Sequence, residues 1–211
     1  MKLQVALDVT RIQKALKIAR EVSIGGAHIL EAGTPLIKAE GIKAIKKLRD
    51  FFPSKIIVAD MKIMDIGYTE AEIALKAGAD MVSVLGVASN QTIKETLRAA
   101  KENNGKVMAD LMSVKNKVER ACKLEKLGVD YLIYHIGVDE NKSIKNCLEE
   151  LKRVIDSVKI PVAVGGGINI ENVKLLKNLR VDIIIVGRFI TTSNKPKEAT
   201  KAILSIIKNL S

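Results

Sequence analysis

Eight short β-branched runs recur along this chain at nearly constant spacing, and that alternation limits its fold more than any other feature. The runs are LQVALDV (3–9), HILEAG (28–33), KIIVADMKI (55–63), MVSVLG (81–86), KVMADLM (106–112), YLIYHIG (131–137), PVAVGGGI (161–168) and DIIIVGRFI (182–190). Their starts lie 25, 27, 26, 25, 25, 30 and 21 residues apart, room each time for one strand, one helix and two short loops. Between them, stretches such as RIQKALKIAREV, QTIKETLRAAKENN and NKVERACKLEKLG repeat apolar residues at steps of three and four, the pattern of an amphipathic helix.

A longer period lies over the first. GGAH (25–28), AGAD (77–80), LGVD (127–130) and LRVD (179–182) each precede an even-numbered run, at spacings of 52, 50 and 52. Each reads as a helix C-cap glycine, then a small apolar residue, then a polar residue entering the strand, with Arg180 in place of the glycine in the last copy. Pairs of βα units thus repeat four times. Eight parallel strands with right-handed crossovers close most naturally into an α/β fold, the (β/α)8 TIM barrel, here expected as a single domain over residues 1–211. An open doubly wound sheet would leave edge strands, whereas the terminal runs LQVALDV and DIIIVGRFI are as apolar as the middle ones.

Composition narrows the function classes. Lys and Arg number 35 against 24 Asp and Glu, a net charge of +11. The lysines are spread at helical spacing, and three Tyr, three Phe and no Trp offer little to stack on bases. Solvated helix faces, together with a field that draws in a phosphorylated metabolite, are expected in preference to nucleic-acid binding. No apolar run approaches the roughly 18 residues of a membrane-spanning helix, and MKLQVALDVT lacks a signal-peptide layout, so a cytoplasmic protein with no membrane contact is expected. Cys122 and Cys147 are too few for a disulfide framework and are expected as buried, reduced thiols.

A barrel of this kind carries its active site at the C-terminal strand ends. Those ends hold Asp8; Glu31; Asp60, Lys62 and Asp65; Asp110; His135; the glycines 165–167; and Gly187 with Arg188. On an extended strand Asp60 and Lys62 share a face, so both can enter the mouth, either as a structural salt bridge or as a pair that holds a metal and moves protons. Glu31 ends the neighbouring strand. Two carboxylates brought that close need a cation or a shared proton, and hard oxygen ligands favour Mg²⁺; alternatively Glu31 pairs with Lys62 or caps the helix near Thr34. His135 is placed for acid/base chemistry, while His28, at a strand start, reads as structural. The role of Asp110 stays open. Gly166, Gly167 and Gly187 let backbone N–H groups approach phosphate oxygens, and Arg188 can add a charge-assisted bond.

QVALDV, LEAGTPLIKAEG, VADMKIMD, YHIGVDE, VGGGIN and IVGR together resemble the orotidine monophosphate decarboxylase superfamily, most closely its 3-hexulose-6-phosphate synthase branch, from about Leu3 to the C-terminal helix. The resemblance implies an aldolase (aldehyde-lyase) that interconverts D-arabino-3-hexulose 6-phosphate with D-ribulose 5-phosphate and formaldehyde, as in the ribulose monophosphate pathway. It implies Mg²⁺ held by Glu31 and Asp60, with Asp8 and Lys62 on substrate hydroxyls and the enediolate and His135 as acid/base. Gly166, Gly167, Gly187 and Arg188 would bind phosphate. It further implies a homodimer with shared active sites, in which Asp65 acts across the interface. The superfamily's orotidine 5'-phosphate decarboxylases carry lysine where this chain has Glu31, and need no metal. The 3-keto-L-gulonate-6-phosphate decarboxylases typically carry arginine where this chain has Val138, which favours the synthase branch. Arg188 dissents, because many synthases have a small residue there and the decarboxylases arginine.

Overall fold

The computed structural model describes residues 1–140 and 143–209. Eight parallel strands close on themselves in sequence order: β1 (Lys2–Leu7), β2 (Ile29–Ala32), β3 (Ile56–Ile63), β4 (Met81–Leu85), β5 (Lys106–Asp110), β6 (Tyr131–His135), β7 (Val162–Gly165) and β8 (Ile183–Val186). The barrel shuts where β1 pairs with β8, Lys2 opposite Ile183 through Val5 opposite Val186. Outside lie α1 (Ile12–Ile24), α2 (Thr34–Glu40), α3 (Lys43–Phe51), α4 (Gly67–Lys76), α5 (Asn90–Glu102), α6 (Lys117–Leu127), α7 (Ile144–Ser157), α8 (Arg188–Thr191) and α9 (Pro196–Lys208). This is the (β/α)8 TIM barrel that the alternation predicts.

One helix is missing from the expected set. Between β7 and β8, where the runs start only 21 residues apart, a 3₁₀ turn at Val173–Leu176 replaces it.

Strand periodicity sorts the apolar residues into two layers. Alternate side chains of β1 point outward, and Leu3, Val5 and Leu7 meet the helices. The opposite faces of the strands fill the barrel with Ile29, Val58, Met81, Met108, Ile133, Ala163 and Ile183, a packed interior in which truncation of Met108 or Ile133 to alanine costs about 2–5 kcal/mol. Helix α1 shows the complementary pattern: Ala15, Ile18, Ala19 and Val22, three and four apart, are buried. Both cysteines are free, but half-buried rather than buried as expected, with the Cys122 thiol 3.4 Å from the carbonyl of Ser157. Among the described residues no helix is long and apolar enough to cross a membrane.

The fourfold repeat closes the N-terminal end of the barrel. At each even strand one polar side chain accepts a hydrogen bond from the N–H that opens the preceding odd strand. His28 Nδ1 takes Leu3 (3.0 Å), and Asp80, Asp130 and Asp182 take Ile57 (2.7 Å), Val107 (2.8 Å) and Val162 (2.9 Å). The backbone N–H of each of these four residues bonds back to the carbonyl of the same partner. Gly26, Gly78 and Gly128 hold the left-handed conformation before them, at φ +100°, +105° and +97°. In the fourth copy the left-handed residue is Asn178 (φ +68°). Arg180, freed from that task, sends its guanidinium to the carbonyls of Ile155, Val158 and Lys159.

Candidate active site

At the other end of the barrel lies a cavity of about 680 Å³. It is lined by Asp8, Glu31, Asp60, Lys62, Asp110 and His135 together with Gly165–Gly167, Gly187 and Arg188. Every strand-end candidate read from the sequence lines it except Asp65. That residue is exposed on the turn between β3 and α4.

Asp60 and Lys62 do share the mouth, but not through the extended alternation expected. Lys62 sits at φ +49°, and the β3–β4 register shifts between Ala59 and Ile63. From this bend the Lys62 ammonium reaches Asp60 Oδ2 at 2.7 Å and Asp110 Oδ2 at 3.5 Å. The Thr34 hydroxyl lies 2.7 Å from Asp60 Oδ2 and 2.8 Å from its carbonyl oxygen, and Ser83 Oγ donates to Oδ1 at 2.7 Å. Burial works against the Asp60 charge, yet Lys62 and these hydroxyls outweigh it and hold the carboxyl below its usual range. Burial likewise opposes charge on Lys62, and Asp60 and Asp110 overcome it, so the amine is held well above its ordinary value and stays cationic.

Asp110, whose role the sequence left open, is the partner of His135. Its Oδ1 accepts the Met112 N–H at 2.8 Å, and its Oδ2 lies 2.8 Å from His135 Nδ1. An anionic partner at Nδ1 makes that nitrogen the donor and leaves Nε2 for the cavity. Burial pulls the imidazole down, but the bond to Asp110 and its charge prevail and raise it above the ordinary histidine value.

Glu31 neither pairs with Lys62 nor caps α2, whose N-cap, Gly33, offers no side-chain bond. It takes a hydrogen bond instead from buried Gln4, Nε2 to Oε2 at 2.6 Å, while Gln4 Oε1 has no partner among the described residues. Burial, then Asp60, then Asp8 push Glu31 well above the usual carboxylate range. Asp8 is raised as well, by burial first and Asp60 second. Its carboxylate fits between two glycines: a Cβ on Gly33 would stand 2.2 Å from Oδ1, and one on Gly187 3.0 Å from Oδ2. Three acidic groups that disfavour one another's charge are the electrostatic setting for a hard divalent cation. Among the described residues no three acidic, histidine or cysteine side chains gather into a metal shell of their own. A carboxylate pair completed by water or substrate, the usual manner for Mg²⁺, fits what is present.

The glycine segment after β7 is built for close approach of backbone. Gly166, at φ +103°, lies so near Ile136 that a Cβ would be 2.2 Å from its carbonyl oxygen, so no other residue fits there unstrained. Gly167 follows at φ +66°, its carbonyl held by Asn172 Nδ2 at 2.8 Å. Arg188 is exposed at the start of α8.

A family model described as "Orotidine 5'-phosphate decarboxylase / HUMPS family" matches residues 1–203. The chain belongs to that family. Within it, the chain is 37% identical over 203 residues to the 3-hexulose-6-phosphate synthase of Bacillus subtilis, covering 95% of this chain and 96% of that protein. The crystal structure of 3-hexulose-6-phosphate synthase from Salmonella typhimurium superposes with a TM-score of 0.94 at 36% identity, covering 100% of each chain. A crystal structure of KGPDC from Streptococcus mutans superposes at 0.89 with 31% identity, over 99% of this chain and 97% of that one.

Sequence reasoning passed over Gln4, Thr34 and Ser83 as parts of the site. Gln4 and Ser83 did leave a signal, since each is a polar residue on the inward face of a mostly apolar run.

Proposed function

We propose that this chain is an aldehyde-lyase that reversibly cleaves D-arabino-3-hexulose 6-phosphate to D-ribulose 5-phosphate and formaldehyde through an enediolate. The observation that carries this reading is the make-up of the cavity: the charged, hydrogen-bonded group of Lys62, Asp110 and His135 shares it with a turn of glycine backbone and Arg188. A sugar phosphate gripped at one end and deprotonated at the other needs both kinds of group in one cavity. The synthase relatives support the choice of reaction.

In the condensing direction His135 takes a proton from C1 of ribulose 5-phosphate. The enediolate carbon then forms its bond to the formaldehyde carbon, and the former aldehyde oxygen gains a proton; cleavage runs the same steps backward. Asp110 orients the imidazole. The Lys62 ammonium faces the oxygen on which negative charge develops. Asp8 meets substrate hydroxyls, and Gly166, Gly167, Gly187 and Arg188 hold the phosphate. Glu31 and Asp60 would hold Mg²⁺, which when bound supplies Lewis-acid stabilisation of the enediolate. Asp65 stands outside this cavity beside exposed Met64 and Ile66, which supports a homodimer in which it serves the partner's site.

Formaldehyde consumption with ribulose 5-phosphate, run with Mg²⁺ and with chelator, tests the reading: metal-dependent consumption is expected, and Glu31→Gln should abolish most of it. No consumption by folded, dimeric protein would overturn it. Arg188 and the likeness to the KGPDC structure favour 3-keto-L-gulonate-6-phosphate decarboxylation as the second reading, and CO₂ release from that substrate would then be the assay. Orotidine 5'-phosphate decarboxylation lacks its lysine here.

A further inference from the structure

Side by side in the barrel wall, β3 and β4 fall out of step. Between the matched pairs Ala59–Val82 and Ile63–Val84, β3 places three residues, Asp60, Met61 and Lys62, where β4 places one, Ser83. Such an irregularity removes ladder partners from the longer strand, and the left-handed Lys62 within it, at φ +49°, adopts a conformation that persists only when its surroundings enforce it.

A single hydroxyl joins the two halves of this bend. Ser83 Oγ accepts the backbone N–H of Lys62 at 2.9 Å and donates its own proton to Asp60 Oδ1 at 2.7 Å. The residue is wholly buried, so water cannot stand in for either bond. We infer that Ser83 is the positioning residue that sets the Asp60–Lys62 pair. Its lone pair holds the Lys62 backbone in the turn from which the ammonium reaches back to Asp60 and across to Asp110. Its proton occupies Oδ1 of Asp60, so that Oδ2 is the oxygen turned toward Lys62 and Thr34. One atom must both give and accept: alanine does neither, cysteine does both weakly, and threonine keeps the hydroxyl. The inference rests on the aldolase reading only for the choice of assay.

The test pairs amide hydrogen exchange at Lys62 with steady-state kinetics on ribulose 5-phosphate and formaldehyde, in Ser83→Ala and Ser83→Thr. A misplaced reacting group costs on the order of 10²-fold in rate. Ser83→Ala should therefore lower kcat by roughly 10–100-fold and speed Lys62 exchange by about tenfold or more. KM for the sugar phosphate should move less than about threefold, because the phosphate-binding groups are untouched. Ser83→Thr should restore both readouts. The inference is overturned if Ser83→Ala keeps kcat within about twofold of the wild type, if Lys62 exchange is unchanged, or if folded Ser83→Thr is as impaired as the alanine variant. Should Ser83→Ala not fold, Ser83→Cys takes its place, with an intermediate kcat and intermediate exchange expected and wild-type values overturning the inference. If the wild-type protein consumes no formaldehyde, the aldolase reading fails on its own, and the exchange comparison still decides the role of Ser83.

Discussion

The two ends of the barrel are made by opposite rules. At the N-terminal end one device appears four times, a polar side chain and its own backbone N–H bonding reciprocally to the residue that opens the preceding strand. At the C-terminal end no such device recurs: Asp8, Glu31, the bent Asp60–Lys62 segment, Asp110, His135 and the glycine turns bring unlike groups to one cavity. A repeated element can only solve a repeated problem, which here is tying each even strand to its predecessor. Chemistry needs unlike groups converging on one space, and repetition stops where that begins.

This contrast can be broken by mutation, and the largest effect is expected at the unlike end. His135→Gln should lower kcat by about 10²–10⁴-fold, the usual worth of a general acid/base, with the melting temperature nearly unchanged; near-wild-type turnover would remove His135 from the reaction. Arg188→Ala should raise KM by roughly 10–100-fold with little change in kcat, because a charge-assisted bond to phosphate acts in ground state and transition state alike. Steady-state kinetics would contradict this by showing kcat falling at constant KM.

At the repeated end the signature reverses. Asp80→Ala strands the Ile57 N–H and takes an acceptor from Arg49, so stability should fall by about 1–3 kcal/mol while kcat holds. Urea unfolding and kinetics on the same variant would check both halves, and a loss of kcat in fully folded protein would mean that the two ends are coupled.

The smallest effect sharpens the comparison within the repeat. His28 fills a slot where the other three copies have aspartate. Burial, then Lys55 and Lys2, hold its imidazole below the ordinary value. The folded protein thus keeps it neutral while the unfolded chain takes a proton, and stability falls as pH drops below about 6.5. His28→Asp keeps an acceptor for Leu3 and removes that step, so its melting temperature should decline less between about pH 7.5 and 5.5. His135, raised rather than lowered, contributes with the opposite sign in both proteins and cancels in the difference. Parallel curves would show that His28 bears no part of the acid sensitivity.

Much of this was legible before any coordinates. Spacing alone placed the eight strands and the fourfold repeat, and position at strand ends picked out most of the polar residues that line the cavity. The 21-residue β7–β8 interval was expected to hold a helix like the others and holds a 3₁₀ turn instead. Other relations were beyond a linear reading. Asp110 and His135 stand 25 residues apart, and nothing near either one names the other. Lys62 reached its expected neighbour by an unexpected backbone path.

Sequence by itself determined the alternation, and with it the closed barrel, the buried faces and the set of polar groups carried to its mouth, because strand and helix periods are local properties that each segment expresses alone. Tertiary structure decided which of those groups meet. The Lys62 turn, the Ser83 bridge and the Asp110–His135 pair depend on register between strands, and a shift of one residue would turn each side chain to the opposite face.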